Sequence, residues 1–128
     1  MKTRDRILDA ALTLFNDQGE HKVSTNHMAA HLGMSPGNLY YHFKNKQDII
    51  YDLFLQHEAQ IEAALTLPEG TPADYKMTLE DKFAVMLGVF ESLWHYRFLH
   101  LNLSQLLSNS PDLKARYRAF YQRCLFKL

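Results

Sequence analysis

Gly33-Met34-Ser35-Pro36-Gly37-Asn38-Leu39-Tyr40-Tyr41-His42-Phe43-Lys44-Asn45-Lys46 is the stretch on which the fold turns. Gly33 stands where a helix ending at Leu32 needs a left-handed residue, which glycine supplies without a side-chain clash. Ser35 followed by Pro36 is a start signal, because proline suits the first helical turn and the serine hydroxyl can cap it. The next helix is predicted to run to about Phe43. Asn45 with Asp48 three residues on predicts another start, written as a capping box. Two short helices joined by Gly33-Met34-Ser35 predict helix-turn-helix geometry.

Working outward, the pattern stays helical. Thr3 is the expected cap of a first helix carrying Ile7, Leu8, Ala11, Leu14 and Phe15 at helical spacing, stopped by Gly19. Ser24 or Thr25 opens the second, with Met28, Ala29 and Leu32 inward. A long fourth helix follows through Ile49, Ile50, Leu53, Phe54, Ile61, Ala64 and Leu65. The breakers around Leu67-Pro68-Glu69-Gly70-Thr71-Pro72 place a linker near 66–77. Thr78 with Asp81 opens a fifth helix expected to turn Leu79, Phe83, Met86, Phe90, Leu93 and Trp94 inward. A shorter helix is expected near 99–107, and Ser110-Pro111-Asp112 begins a last one. The expected fold is all-α: a three-helix helix-turn-helix head over 1–55, then a long connecting helix and a partial helical domain over 56–128.

A chain of 128 residues with 47% apolar content can bury an ordinary core. No apolar run approaches the ~20 residues that cross a bilayer. The amphipathic pattern begins at once, without a signal-peptide core, and the single Cys124 suits a reducing compartment, so a cytoplasmic protein is expected. Formal net charge is zero, but its distribution is uneven. From His21 through Gln47 there is no Asp or Glu, while Lys22, Lys44, Lys46, His21, His27, His31 and His42 fall there. A phosphate-facing surface needs such a gap.

The third helix divides its residues around its axis. Leu39 and Phe43 point one way, with Tyr40 at their border, and Gly37, Asn38, Tyr41 and His42 fall opposite. A helix face made only for solvent would carry Glu, Lys or Gln. Gly37 admits close approach of a groove floor, or is simply tolerated near a helix start. Asn38 can read adenine, and Tyr41 and His42 can bond phosphates. Tyr40 is either a half-buried core aromatic or a base contact. Lys44 and Lys46 flank the positive end of the fourth helix, where cations are disfavoured by ~0.3–1 kcal/mol. They are either a solvated pair or partners of a phosphate bound there, and the unfavourable placement favours phosphate.

Together Ile7-Leu8, Ala11, Phe15, Gly19, Thr25, Met28-Ala29 and the run from Leu32 through Ser35 carry a resemblance, as do Gly37 through Phe43 and Lys46. This pattern resembles the DNA-binding domain of TetR-family regulators over roughly residues 1–55, most specifically from 33 to 46. The resemblance implies a homodimeric cytoplasmic regulator, usually a repressor, released from a palindromic double-stranded operator by a small-molecule effector. By motif position it implies that Thr25 and Asn26 touch the backbone. Gly37, Asn38 and Tyr40 would approach bases, and Tyr41, His42 and Lys46 would hold phosphates. It also implies further C-terminal helices that normally form the dimer interface. The 128-residue chain is therefore expected to be a partial form that dimerises poorly.

Two other readings are weighed. His27 and His31 stand one helical turn apart, a spacing that can hold a metal. Met28 stands where a metallohydrolase motif needs Glu, however, and no third ligand is evident. A helical interaction module without DNA readout would be served by the later aromatics, Phe126 among them. Of these, Phe83, Phe90, Trp94 and Tyr117 are candidates to line an effector cavity, with plain core or a dimer face as alternatives. Lys114, Arg116, Arg118, Arg123 and Lys127 form either a solvated face or one awaiting acidic partners. No cofactor, metal, catalytic residue or membrane contact is expected.

Overall fold

The computed structural model describes the backbone of residues 1–127 and the side chains of residues 1–125. The expected contributions of Phe126 and Lys127 lie outside the described side chains. Eight helices and no strand occur among the described residues, in the order α1 (Thr3–Gln18), α2 (Thr25–Leu32), α3 (Pro36–His42), α4 (Lys46–Leu65), α5 (Leu79–His95), α6 (Phe98–Leu101), α7 (Leu103–Asn109) and α8 (Pro111–Lys127). A 3₁₀ turn over Glu20–Lys22 leads into α2.

Local chemistry sets most of these boundaries. Ser24 accepts a hydrogen bond from the His27 N–H, Ser35 from Asn38, and Asn45 from Asp48. Gly33 closes α2 at φ 68°, and the Met34 N–H reaches back to the Ala29 carbonyl at 3.0 Å. Residue 33 must therefore be left-handed, whatever space surrounds it. Thr78 and Asp81 form a full reciprocal capping box for α5. Two expectations are corrected at this level. Lys2, not Thr3, occupies the cap of α1, and the Asn45 motif supplies only the forward bond of the expected box. The helix expected near 99–107 is instead α6 and α7, interrupted at Asn102 (φ −138°, ψ 38°).

One continuous core joins both halves. Ile7, Leu8, Ala11 and Phe15 of α1 meet Met28, Ala29, Leu39, Phe43, Ile49 and Leu53. The same core continues along α4 through Phe54 and Ile61 to Tyr96, Leu106, Leu113 and Phe120. Phe54 meets Tyr117 and Phe120 with ring centroids 6.0 and 5.9 Å apart. Between the halves, Asn16 uses its whole side-chain amide. Its Nδ2 donates to the His95 carbonyl (2.8 Å), and its Oδ1 accepts from the Phe98 N–H (3.1 Å). Phe15 packs beside Phe98 at 5.0 Å. The α6 segment is thus pinned to the end of α1.

The orientation of α5 reverses the expected one. Leu79, Phe83, Met86, Phe90 and Trp94 are exposed, Leu93 is half-buried, and Ser92 is the buried residue of that helix. The side facing α4 is the stripe Val85, Gly88, Val89 and Ser92. The physical reason is close backbone approach, since a Cβ at Gly88 would lie 2.9 Å from the Ala64 Cβ. Small residues let the two helices touch and leave the large ones outside. Gly88→Leu should therefore destabilise the chain by roughly 1–3 kcal/mol through overpacking, read as a lowered urea midpoint at unchanged slope.

Acidic partners for the C-terminal basic face lie within the chain. Glu58, buried on α4, accepts from Arg116 Nε and Nη2 (2.8 and 2.7 Å) and from Arg123 Nη2 (2.6 Å). Arg123 also pairs with Glu62. This carboxylate network fastens α8 onto α4.

Candidate nucleic-acid interface

The α3 helix is anchored by very little of itself. Leu39 is its one buried residue, and Phe43 just beyond it is buried as well. Arg4 of α1 reaches over the Phe43 ring at 4.6 Å and ion-pairs with Asp52 of α4, holding this end against the core. Pro36, Gly37, Asn38, Tyr40 and Tyr41 are exposed, and His42 is half-buried. Tyr41 is 84% exposed. Its edge meets the His42 ring at 5.1 Å.

Gly37 has open space around it: an added Cβ would meet nothing within 4 Å. Its φ does not demand glycine either, because positive φ among the glycines occurs at 19, 33 and 70. Nothing inside the folded chain therefore requires a glycine at 37. Tyr40, half-exposed, hydrogen-bonds through its hydroxyl to Thr25 Oγ1 at 3.1 Å. That contact joins the first turn of α2 to α3, and Asn26 beside it is exposed. Thr25, Asn26, Gly37, Asn38, Tyr40, Tyr41 and His42 thus all belong to the α2–α3 pair.

Lys46 departs from expectation. Its ammonium bonds the Glu20 carbonyl (2.8 Å), the Val23 carbonyl (3.0 Å) and Glu20 Oε1 (3.0 Å). An ammonium has three donors, and three acceptors of this chain take them. The Lys46 side chain, expected at a phosphate, is held within the chain in this structure. The anion that offsets a cation at the start of α4 is Glu20, with only 9% of its surface accessible. Lys44 is exposed on the same side.

The expected effector residues do not converge. Phe83 lines an open apolar groove with Leu79, Lys82 and Met86, while Phe90 and Trp94 are exposed at 58% and 69%. Tyr117 packs on Phe54 and lies parallel to Tyr121 at 6.3 Å. His27 and His31 lie on α2, and no group of three or more His, Cys, Asp or Glu side chains able to hold a metal occurs among the described residues.

A polar cluster that sequence reasoning missed sits between α4, α5 and α6. Buried His57 pairs its Nδ1 with Ser92 Oγ at 2.8 Å and its Nε2 with His100 Nε2 at 3.2 Å. Burial, with the neighbouring His100 adding to it, pushes the His57 pKa down to about 4. Burial lowers His100 as well. Polar residues on an otherwise apolar helix were the available signal, but nothing local pairs positions 57, 92 and 100. No helix among the described residues is long and apolar enough to cross a membrane.

A capped helix pair with an exposed, carboxylate-free second helix is a helix-turn-helix unit of the kind found in DNA-binding proteins. Comparison with known proteins gives the family. Residues 7–53 match the family described as "Bacterial regulatory proteins, tetR family", and residues 56–128 match one described as "Bacterial transcriptional repressor". The chain belongs to the TetR family of transcriptional regulators. A TetR-family regulator from Marinobacter aquaeolei VT8 is 51% identical, superposes with a TM-score of 0.92, and is matched over 99% of this chain and 61% of its own. The regulator PfmR from Thermus thermophilus is 28% identical with a TM-score of 0.72, covering 97% of this chain and 66% of its own. An HTH-type transcriptional regulator of Staphylococcus aureus is 30% identical over 98% of this chain and 64% of its own length. The chain thus spans less than two thirds of these relatives.

Proposed function

We propose that the chain is the reader and part of the regulatory half of a cytoplasmic repressor that binds a palindromic operator as a homodimer. The observation that carries this reading is the outward face of α3, presented within a stretch, 21–47, that has no Asp or Glu. The reader takes residues 1–55, and the helices from 56 onward regulate it. Gly37 lets the α3 backbone approach the groove floor. Asn38 donates to and accepts from an adenine edge, and Tyr40, steadied by Thr25, lies beside it. Tyr41, His42, Thr25, Asn26 and Lys44 hold phosphates and set the register. Since α3 carries no Arg, Lys or Gln, sequence-dependent groove shape supplies part of the specificity. Pairing two readers about one DNA turn apart, ~34 Å, makes the operator palindromic. A small-molecule effector acts on the regulatory helices, and the α1–α6 seam at Asn16 is the path by which their shift reaches the reader.

The test is equilibrium binding to duplexes selected by the chain from a random pool, measured across KCl concentrations. Affinity should fall linearly on logarithmic axes, by a slope of roughly 0.9 for each phosphate neutralised. Binding indifferent to salt, or equal for selected and scrambled duplexes, would remove this interface.

A further inference from the structure

Lys46 and Glu20 stand 26 positions apart, yet they close on each other at the corner where three elements meet. The 3₁₀ turn ending at Lys22 and the Val23 that follows it present the carbonyls of Glu20 and Val23, and α2 begins at Thr25. The α4 helix begins at Lys46 itself. Between them run α3 and the short connection 43–45. A cation held by both carbonyls and by the Glu20 carboxylate therefore fixes the entry of α2 against the exit of α3. The side chains are 21% and 9% exposed, so solvent competes little for these bonds.

The geometry points to Lys46 and Glu20 as a positioning pair for DNA recognition: an internal clip that sets the angle of the α2–α3 pair on α4 without touching DNA. This inference rests on the reading of α3 as the DNA-contacting helix. Three observations separate the clip from the alternatives. All three ammonium donors are taken by acceptors of the chain, so none remains for a phosphate. The core beneath α3 consists of little more than Leu39 and Phe43, so apolar packing alone leaves its orientation loosely determined. The corner also borders the cleft lined by Thr25, Tyr40 and Lys44, so any rotation there displaces the proposed contact residues.

A clip, a phosphate contact and a purely structural bond differ in what they change. A phosphate contact contributes to affinity for every sequence and to the salt slope. A structural bond changes the melting temperature and leaves the binding of folded molecules alone. A positioning clip changes the preference for the right sequence over the wrong one.

The experiment uses the whole chain, a duplex it selects from a random pool and a scrambled duplex of the same composition. Affinities are measured at several KCl concentrations and at a temperature where circular dichroism shows each variant folded. Lys46→Met should weaken the selected duplex about tenfold or more, the size of a lost base-pair match, with the scrambled duplex nearly unaffected and the salt slope unchanged. Glu20→Gln, which keeps the shape and removes the charge, should move the preference the same way. It carries the test if Lys46→Met does not fold. The double variant should be no worse than Lys46→Met alone, because both remove one unit. Equal weakening of both duplexes with the slope reduced by roughly 0.9 would make Lys46 a phosphate contact and overturn the clip. Unchanged preference in folded variants would make the pair merely structural and overturn it as well. Failure of the unsubstituted chain to prefer any duplex is a different result, striking the proposed function on which the clip depends.

Discussion

Between pH 7 and pH 4 the chain should lose about 3 kcal/mol of unfolding free energy, and most of that loss should disappear in His57→Asn. The cause is buried His57, which meets His100 at the α4–α6 contact. With His57 neutral, its Nδ1 can donate to Ser92 and its Nε2 can accept from His100, satisfying every ring nitrogen that faces inward. A second proton on His57 would place a charge in a buried site, where lost solvation disfavours it and the neighbouring His100 adds to the penalty. The folded pKa accordingly sits at about 4 against an ordinary 6.5. The unfolded chain then takes up a proton below pH 6.5 that the folded chain refuses. Stability is complete above 6.5 and falls with pH until about 4, at about 1.36 kcal/mol per unit. Asparagine retains a polar atom for Ser92 but does not titrate, so urea melts at pH 7, 5.5 and 4 separate the two chains. A parallel decline in both would place the acid sensitivity elsewhere.

A second acid step follows from opposite chemistry. Burial of Glu58 works to raise its carboxyl, but the bonds from Arg116 and Arg123 outweigh it and hold it below the usual 4.5. Its contribution is present above that pH and lost as pH falls through the folded value. His57→Asn should therefore lose less than the unsubstituted chain between pH 6.5 and 4.5, with His100 supplying what loss remains there, and decline further below about 4.5 as Glu58 is protonated. Both groups resist gaining a proton in the folded chain, and the windows are distinct because the ordinary values from which they are lowered are 6.5 and 4.5.

What the sequence made legible was local. Ser24, Gly33, Ser35-Pro36 and Asn45 act on backbone groups within a few residues, and each ends or begins a helix where the spacing required. The outward face of α3 followed from the same short-range geometry. The long-range pairings were not legible. The dipole argument at Lys46 pointed to a bound phosphate, and it could not foresee Glu20, which pairs with Lys46 through a fold that no local rule describes. Arg116 and Arg123 similarly find Glu58 across 58 and 65 positions. On α5 the periodicity is real and its direction is the reverse of the expected one, because hydrophobicity alone does not say that Gly88 and Ser92 permit a closer contact than Phe83 and Phe90. Size decided that orientation.

The sharpest separation of folding from function should come at Gly37. Glycine in the first turn of α3 costs helix stability, roughly 0.5–1 kcal/mol relative to alanine. An added Cβ there meets nothing within 4 Å, so no packing gain offsets that cost inside the chain. Gly37→Ala should raise the melting temperature by a few degrees. Gly37→Glu should do at least as well, because a carboxylate near a helix N-terminus adds ~0.3–1 kcal/mol. Against DNA the order reverses. The alanine methyl stands between the α3 backbone and the groove floor, and the glutamate sets a negative charge among phosphates. Juxtaposed like charges cost several kcal/mol, so Gly37→Glu should bind the selected duplex roughly a hundredfold more weakly or worse, about 2.7 kcal/mol. Gly37→Ala should fall between that variant and the unsubstituted chain. Thermal melts and anisotropy titrations on the same samples decide the matter. A Gly37→Glu chain that is more stable and binds unchanged would mean that the first turn of α3 does not face DNA, and the interface would have to be rebuilt around Tyr41 and His42 alone.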